Sequence, residues 1–107
     1  MSGPANPARG EASLMIGGEA IRLRPSFEAL VAAEAELGPL FALVERAAAG
    51  GLRVAEIAAL FWHCAENRPE GLGPARIGAA IVEQGLAGVT PALKILLGQI
   101  LQGRGAV

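Results

Sequence analysis

The sequence predicts an α+β fold, predominantly α, in which an N-terminal β-hairpin packs on a bundle of about five short helices. Two observations indicate this fold. After Gly17-Gly18, Ile21 and Leu23 alternate with arginines, which is the period of a β-strand with one buried face. After Pro25, the apolar spacing changes to that of amphipathic helices.

The hairpin turn is predicted at Gly17-Gly18, because two glycines supply the positive φ angles that a two-residue turn requires. Its strands are the apolar-containing runs on either side, residues 12–16 and 19–24. An isolated two-stranded hairpin is only marginally stable in water, so we expect its apolar face to lie against the helices.

Each of the helices has a local start or stop signal. Ser26 is a suitable N-cap for the first helix, and Gly38-Pro39 ends it. We predict that Thr90 caps the last helix and that Pro91 occupies its first position, where proline is tolerated. The predicted helices cover residues 27–37, 40–49, 53–66, 74–84 and 91–102.

The helical spacing also predicts a core. In the first helix, Phe27, Leu30, Val31 and Leu37 follow one apolar stripe, and the third helix is predicted to be the central one. All aromatic residues fall at positions that we expect in the core, so no stacking platform for single-stranded nucleic acid is predicted. They are Phe27, Phe41, Phe61 and Trp62.

The 107 residues predict a single domain over residues 12–102, with a flexible arm over 1–11 and a flexible tail over 103–107. Nine basic and ten acidic residues give a net charge of −1, which argues against nucleic acid and anionic membranes as partners. The N-terminus has no apolar signal region, and residues 89–101 are too short to span a bilayer. We therefore expect a cytoplasmic protein.

The residues that most often carry chemistry are scarce. One histidine and one cysteine exclude an intrachain disulfide and the usual Cys/His zinc site, and no cofactor motif is present. His63 shares a helix side with Glu56, which permits a general base, although a solvated histidine is favoured. Cys64 falls on the apolar stripe, where we expect a buried, inert thiol. The prediction is that the protein is not an enzyme.

Two surfaces remain as candidate binding sites for proteins. Arg22 and Arg24 lie on the polar face of the hairpin, either as a solvated strip or as a docking strip for an acidic partner. The last helix has one charged residue, Lys94, and more apolar surface than a small monomer needs. Its apolar face is either an interface or part of the core. The candidate partner-binding residues are Leu93, Leu96, Leu97, Ile100 and Leu101.

A family resemblance adds a function to this outline. The segment IRLRPSFEAL at residues 21–30, followed by EAELG at 34–38, resembles the small gene-transfer-agent proteins of alphaproteobacteria. These are grouped with the tail assembly chaperones of long-tailed phages. The later segment LRVAEIA at 52–58 fits the same pattern, and the resemblance extends over roughly residues 10–102. Its motifs are structural, so it identifies no catalytic residue.

The resemblance implies a virion-assembly factor that binds the tail tape-measure protein or tail tube protein, and possibly a second copy of itself. Such chaperones keep the apolar helices of the tape measure soluble and leave as the tube polymerises. A role as a tube subunit is disfavoured, because one hairpin offers little β-sheet. The alternatives are a tail structural component and a small homo-oligomeric helical adaptor or regulatory module.

Overall fold

The computed structural model describes residues 11–102, so the predicted N-terminal arm up to residue 10 and the predicted tail over 103–107 lie outside it. Glu11, which the sequence analysis assigns to the arm, is buried directly before the first strand. The predicted α+β class is confirmed. The elements are β1 (Ala12–Ile16), β2 (Glu19–Leu23), α1 (Phe27–Leu37), α2 (Leu40–Ala48), α3 (Val54–Cys64), α4 (Pro74–Gln84) and α5 (Leu86–Gln102).

The two strands form the predicted hairpin. They pair antiparallel, from Ala12 opposite Leu23 to Ile16 opposite Glu19. Gly17 and Gly18 both have positive φ angles, 57° and 82°, which confirms the reason for the glycine pair. The predicted alternation in β2 is also confirmed, since Ile21 and Leu23 are buried while Arg22 between them is partly exposed.

The hairpin is joined to the end of α3 by main-chain hydrogen bonds. Leu23 and Ala65 form an antiparallel bridge. The N–H of Arg24 donates to the carbonyl of Cys64 at 2.7 Å, and the N–H of Glu66 donates to the carbonyl of Arg22 at 2.9 Å. This pairing explains why α3 ends at Cys64 and not at residue 66 as predicted: Ala65 is extended and forms an isolated bridge to Leu23 beside the two-stranded sheet.

Helix α3 is the centre of the molecule, as predicted. It packs against α1 on one side and α4 on the other, while α5 packs against α4 and β1. Leu60 and Phe61 of α3 are completely buried. The other large side chains with no more than trace exposure come from β2, α2, α4 and α5: Leu23, Leu43, Ile77, Ile81, Val89 and Leu96.

The predicted core face of α1 is wrong. Ala29 and Ala33 are its buried residues, whereas Phe27 and Val31 are exposed and Leu30 is half-buried. Small side chains one turn apart let the α1 backbone approach α3 closely, and this contact turns the larger apolar residues outward. The prediction for α2 differs from the structure in a similar way. Leu43 is buried on the inner side of this helix, and Phe41 is exposed.

The predicted start of α5 is also wrong. The helix begins at Leu86, directly after Gly85 ends α4 with a φ angle of 83°. Thr90 is therefore inside the helix, and its hydroxyl donates back to the carbonyl of Leu86 at 2.7 Å. Pro91 lies in the second turn, and burial of Val89 holds the extra first turn against the core.

Candidate protein-binding site

Two exposed apolar residues, Phe41 and Leu101, line a groove at the place where α1, α2 and the end of α5 meet. Phe41 is 69% exposed and Leu101 is 54% exposed, and Phe27, which is 79% exposed, lies one helical turn before Leu30 of the groove. The groove encloses about 460 Å³. We call it the α1–α2–α5 groove; it is lined by Leu30, Leu40, Phe41, Val44, Ile100 and Leu101.

Helix α1 extends this apolar surface beyond the groove. Phe27, Leu30 and Val31 are separated by three or four positions, so they occupy one side of the helix. Leu30 lines the groove, and Phe27 and Val31 lie outside its lining on the same side of the helix. Aromatic and aliphatic side chains clustered on a surface in this way are typical of a protein-binding site.

The structure divides the five residues predicted on α5 among three environments. Leu96 is completely buried in the core of the monomer. Ile100 and Leu101 line the α1–α2–α5 groove. Leu93 and Leu97 are half-buried and line a second, smaller depression against α2, together with Lys94. The five residues therefore do not form one continuous surface, and only two of them adjoin the exposed aromatic residues.

Phe27 and Phe41 are surface residues, contrary to their predicted core positions. Both fall on apolar helical stripes, and hydrophobicity alone assigns an aromatic residue to the core before an alanine. For Phe27, the signal that could have identified its exposure is the pair Ala29 and Ala33, a small-residue stripe at helical spacing on the opposite side of α1.

His63 is held by a different carboxylate from the one predicted. Its Nε2 lies 2.7 Å from Oε1 of Glu36 on α1, and its side chain is mostly covered, so it is not the solvated histidine that was favoured. Glu56 instead contacts Arg46 at 2.6 Å and accepts a hydrogen bond from the N–H of Arg53 at 2.9 Å. These contacts hold the pKa of Glu56 below its ordinary value.

We expect His63→Ala to leave partner binding unchanged and to lower the free energy of unfolding by about 1–2 kcal/mol. The contact with the largely exposed Glu36 contributes little, the loss of the mostly covered ring adds to it, and the pair lies outside the α1–α2–α5 groove. Denaturant unfolding and a binding titration of the same preparation check both parts. Loss of binding by a variant that is still folded would show that His63 belongs to a functional site.

Cys64 is a buried thiol, as predicted. Burial raises its pKa to about 12, and the nearby Arg68 opposes this only weakly. A thiol with so high a pKa carries almost no thiolate near neutral pH, so it is a poor nucleophile.

The raised pKa of Cys64 predicts a pH dependence of stability. Above pH 9 the unfolded thiol loses its proton while the folded one retains it, so stability falls as pH rises from about 9 toward 12. The slope from this group approaches about 1.4 kcal/mol per pH unit. The difference in unfolding free energy between wild type and Cys64→Ala, measured at pH 8 and pH 10, should shrink by about 1 kcal/mol at the higher pH. A constant difference would contradict the assignment.

The arginines of the hairpin do not form an open basic strip. Arg22 contacts Glu66 at 2.8 Å, and Arg24 contacts the other oxygen of the same carboxylate at 3.4 Å. The guanidinium of Arg68 lies 4.1 Å above the ring of Trp62. The charges of the two hairpin arginines are thus partly compensated within the monomer. This face is therefore a weaker candidate for binding an acidic partner, and the apolar groove is the better candidate for a binding site.

A family model described as "Phage tail tube protein, GTA-gp10" matches residues 9–103, and so includes the hairpin, all five helices and the α1–α2–α5 groove. The chain belongs to this family. No curated protein and no solved structure matches it.

Membership in the GTA-gp10 family confirms the gene-transfer-agent, phage-tail resemblance at that level. The family description names the tail tube, whereas the sequence analysis favours a chaperone and gives a tail structural component as an alternative. Within residues 11–102 the only β-sheet is the two-stranded hairpin.

Within residues 11–102, no group of three or more His, Cys, Asp or Glu residues is placed so that it could hold a metal ion. None of the helices described combines the length and hydropathy of a membrane-spanning segment.

Proposed function

We propose that this member of the GTA-gp10 family is a non-enzymatic assembly chaperone of a phage-like tail, which binds apolar helices of the tape-measure protein. The observation that carries the proposal is the exposure of Phe41 in one apolar groove, with exposed Phe27 one helical turn before Leu30 of that groove. A large aromatic side chain left in water loses most of the hydrophobic stabilisation that its burial would give. An amphipathic helix laid into the groove would recover it.

The expected affinity suits a chaperone, which has to dissociate from the tape-measure protein during assembly. Burying one leucine-sized side chain contributes about 1.5–3 kcal/mol. Two or three such contacts support a micromolar interaction once the cost of association is subtracted. A complex of that strength protects an apolar helix during assembly and dissociates readily when the growing tube offers a better contact.

A second candidate function is a structural component of the tail tube, and the family description favours it. In that case the apolar surface would be buried permanently against neighbouring copies. The two functions differ in where the protein is found after assembly, because a tube subunit stays in the finished particle and a chaperone does not.

The deciding experiment is quantitative mass spectrometry of assembling cells and of purified particles, with the major capsid protein as the internal standard. We expect the protein to be abundant during assembly, bound to the tape-measure protein, and depleted by at least about 100-fold in purified particles. Recovery in particles at the copy number of a repeating tube ring would overturn the chaperone proposal and support the tube component.

A further inference from the structure

We infer that the helix taken up by the α1–α2–α5 groove is basic as well as apolar, with lysine or arginine flanking its apolar anchors. The inference rests on the proposed function, in that it specifies the chemistry of the partner helix. It comes from the distribution of charge around the groove.

The segment that forms two walls of the groove is acidic throughout. Residues 25–45 contain four glutamates and no lysine or arginine. One of them, Glu36, faces α3 and contacts His63. The other three, Glu28, Glu34 and Glu45, are exposed.

Two of these glutamates lie next to the apolar residues of the groove, whereas Glu28 lines a separate depression with His63 and Arg68. Glu45 lies one helical turn after Phe41. Glu34 lies one helical turn after Leu30. Its Oε2 accepts a hydrogen bond from the N–H of Leu40 at 3.1 Å, which places the carboxylate at the junction of α1 and α2. The groove therefore has an apolar floor and an acidic rim.

No compensating cation adjoins the groove in the part of the chain that the structure describes. Residues 95–102 of α5, which supply the third wall, carry no charge. Arg46, the first basic residue of α2, is held by Glu56 at 2.6 Å. Lys94 lies two turns before Leu101 and lines the smaller depression.

The charge pattern favours a different protein over a second copy of this chain. An acidic rim attracts cationic flanks and repels acidic ones, which sets the orientation and the choice of partner. The groove face of this chain does not supply such flanks, because its apolar residues have glutamate neighbours. Two copies meeting groove to groove would bring like charges together.

The test uses three synthetic 18-residue helical peptides with the same leucine anchors at i, i+3, i+4 and i+7. Their flanking positions are all lysine, all glutamine or all glutamate. Each is titrated into the full chain at low and at high salt. Because an exposed ion pair changes affinity by a factor of about 1.4–5, two or three of them should make the lysine peptide bind about 10-fold more tightly than the glutamate peptide at low salt. The ratio should fall markedly at 0.5 M salt.

The matched variants are Glu34→Lys/Glu45→Lys on the rim and Glu83→Lys away from it. The rim variant should reverse the preference, and the control should keep it. If lysine at position 34 disturbs the start of α2, whose Leu40 N–H donates to Glu34, thermal unfolding would show it. Glu34→Gln/Glu45→Gln, which keeps an acceptor oxygen at position 34, then replaces it and should make the three peptides bind alike. Equal binding of all peptides to wild type, or a rim variant with an unchanged ratio, would overturn the inference.

Two further measurements, binding of the tape-measure protein and sedimentation of the protein alone, separate this inference from the proposed function. If the tape-measure protein binds but the peptides show no charge preference, the function stands and the basic partner helix is wrong. If sedimentation of the protein alone shows a dimer that Phe41→Ser disrupts while Val82→Ser does not, a second copy occupies the groove and the inference is wrong.

Discussion

Replacing Leu96 by alanine is expected to lower the free energy of unfolding by about 2–5 kcal/mol. Leu96 is completely buried between α5 and the rest of the core, so the change removes its apolar contacts and leaves a cavity. Domains of this kind are stable by only about 5–15 kcal/mol, so the loss is a large fraction of the total. The melting temperature should fall by about 10 °C or more.

Leu101→Ala is the matched control, because it makes the same change in the same helix at a residue that is 54% exposed. We expect it to change the free energy of unfolding by less than about 1 kcal/mol. Chemical denaturation of both variants checks the comparison. Equal costs at the two positions would mean that the division of the α5 face into core and groove is wrong.

The second large effect is on binding. Phe41→Ala is expected to weaken the affinity for a tape-measure segment by about 2 kcal/mol, a factor of about 30, because central aromatic residues dominate interfaces of this type. Stability should change by no more than about 0.5 kcal/mol, since Phe41 is mostly exposed in the free protein.

Val82→Ala is the control for Phe41→Ala, because Val82 is an exposed apolar residue on α4 and outside the groove. It should leave the affinity unchanged. Calorimetric titration of wild type and both variants with the same segment provides the measurement. Normal binding by Phe41→Ala, or an equal loss with Val82→Ala, would place the binding surface elsewhere.

The parts of the fold that local chemistry determines could be predicted from the sequence. Helix α4 has the predicted bounds, because Pro74 fixes its first turn and Gly85 ends it with a positive φ angle. The hairpin follows from its glycine turn and alternating residues, and Ser26 caps α1 by accepting a hydrogen bond from the N–H of Ala29. Each of these signals acts within a few residues.

The predictions are wrong where contacts between residues that are distant in sequence determine the structure. Helix α3 is shorter than predicted, because Ala65 pairs with Leu23 of the hairpin, 42 positions away. Pro91 fits both the first and the second turn of a helix, and burial of Val89 favours the longer α5. Neither contact is visible in the local pattern.

The candidate site depends on the same kind of distant contact. Helical spacing correctly placed Phe27 and Phe41 on apolar stripes, but the inner face of α1 is set by how closely Ala29 and Ala33 approach α3. The sequence therefore identified two of the groove residues, Ile100 and Leu101, without their aromatic neighbours.

The central claim is that the α1–α2–α5 groove receives a helix of another tail protein. The most direct test is an NMR titration of the isotope-labelled full chain with a helical segment of the tape-measure protein. We predict that the largest chemical-shift changes cluster at Phe27–Val31, Phe41–Val44 and Ile100–Leu101, with the hairpin and α4 little affected. Changes centred instead on the hairpin, α4 or the Lys94 depression, with the groove unperturbed, would contradict the claim.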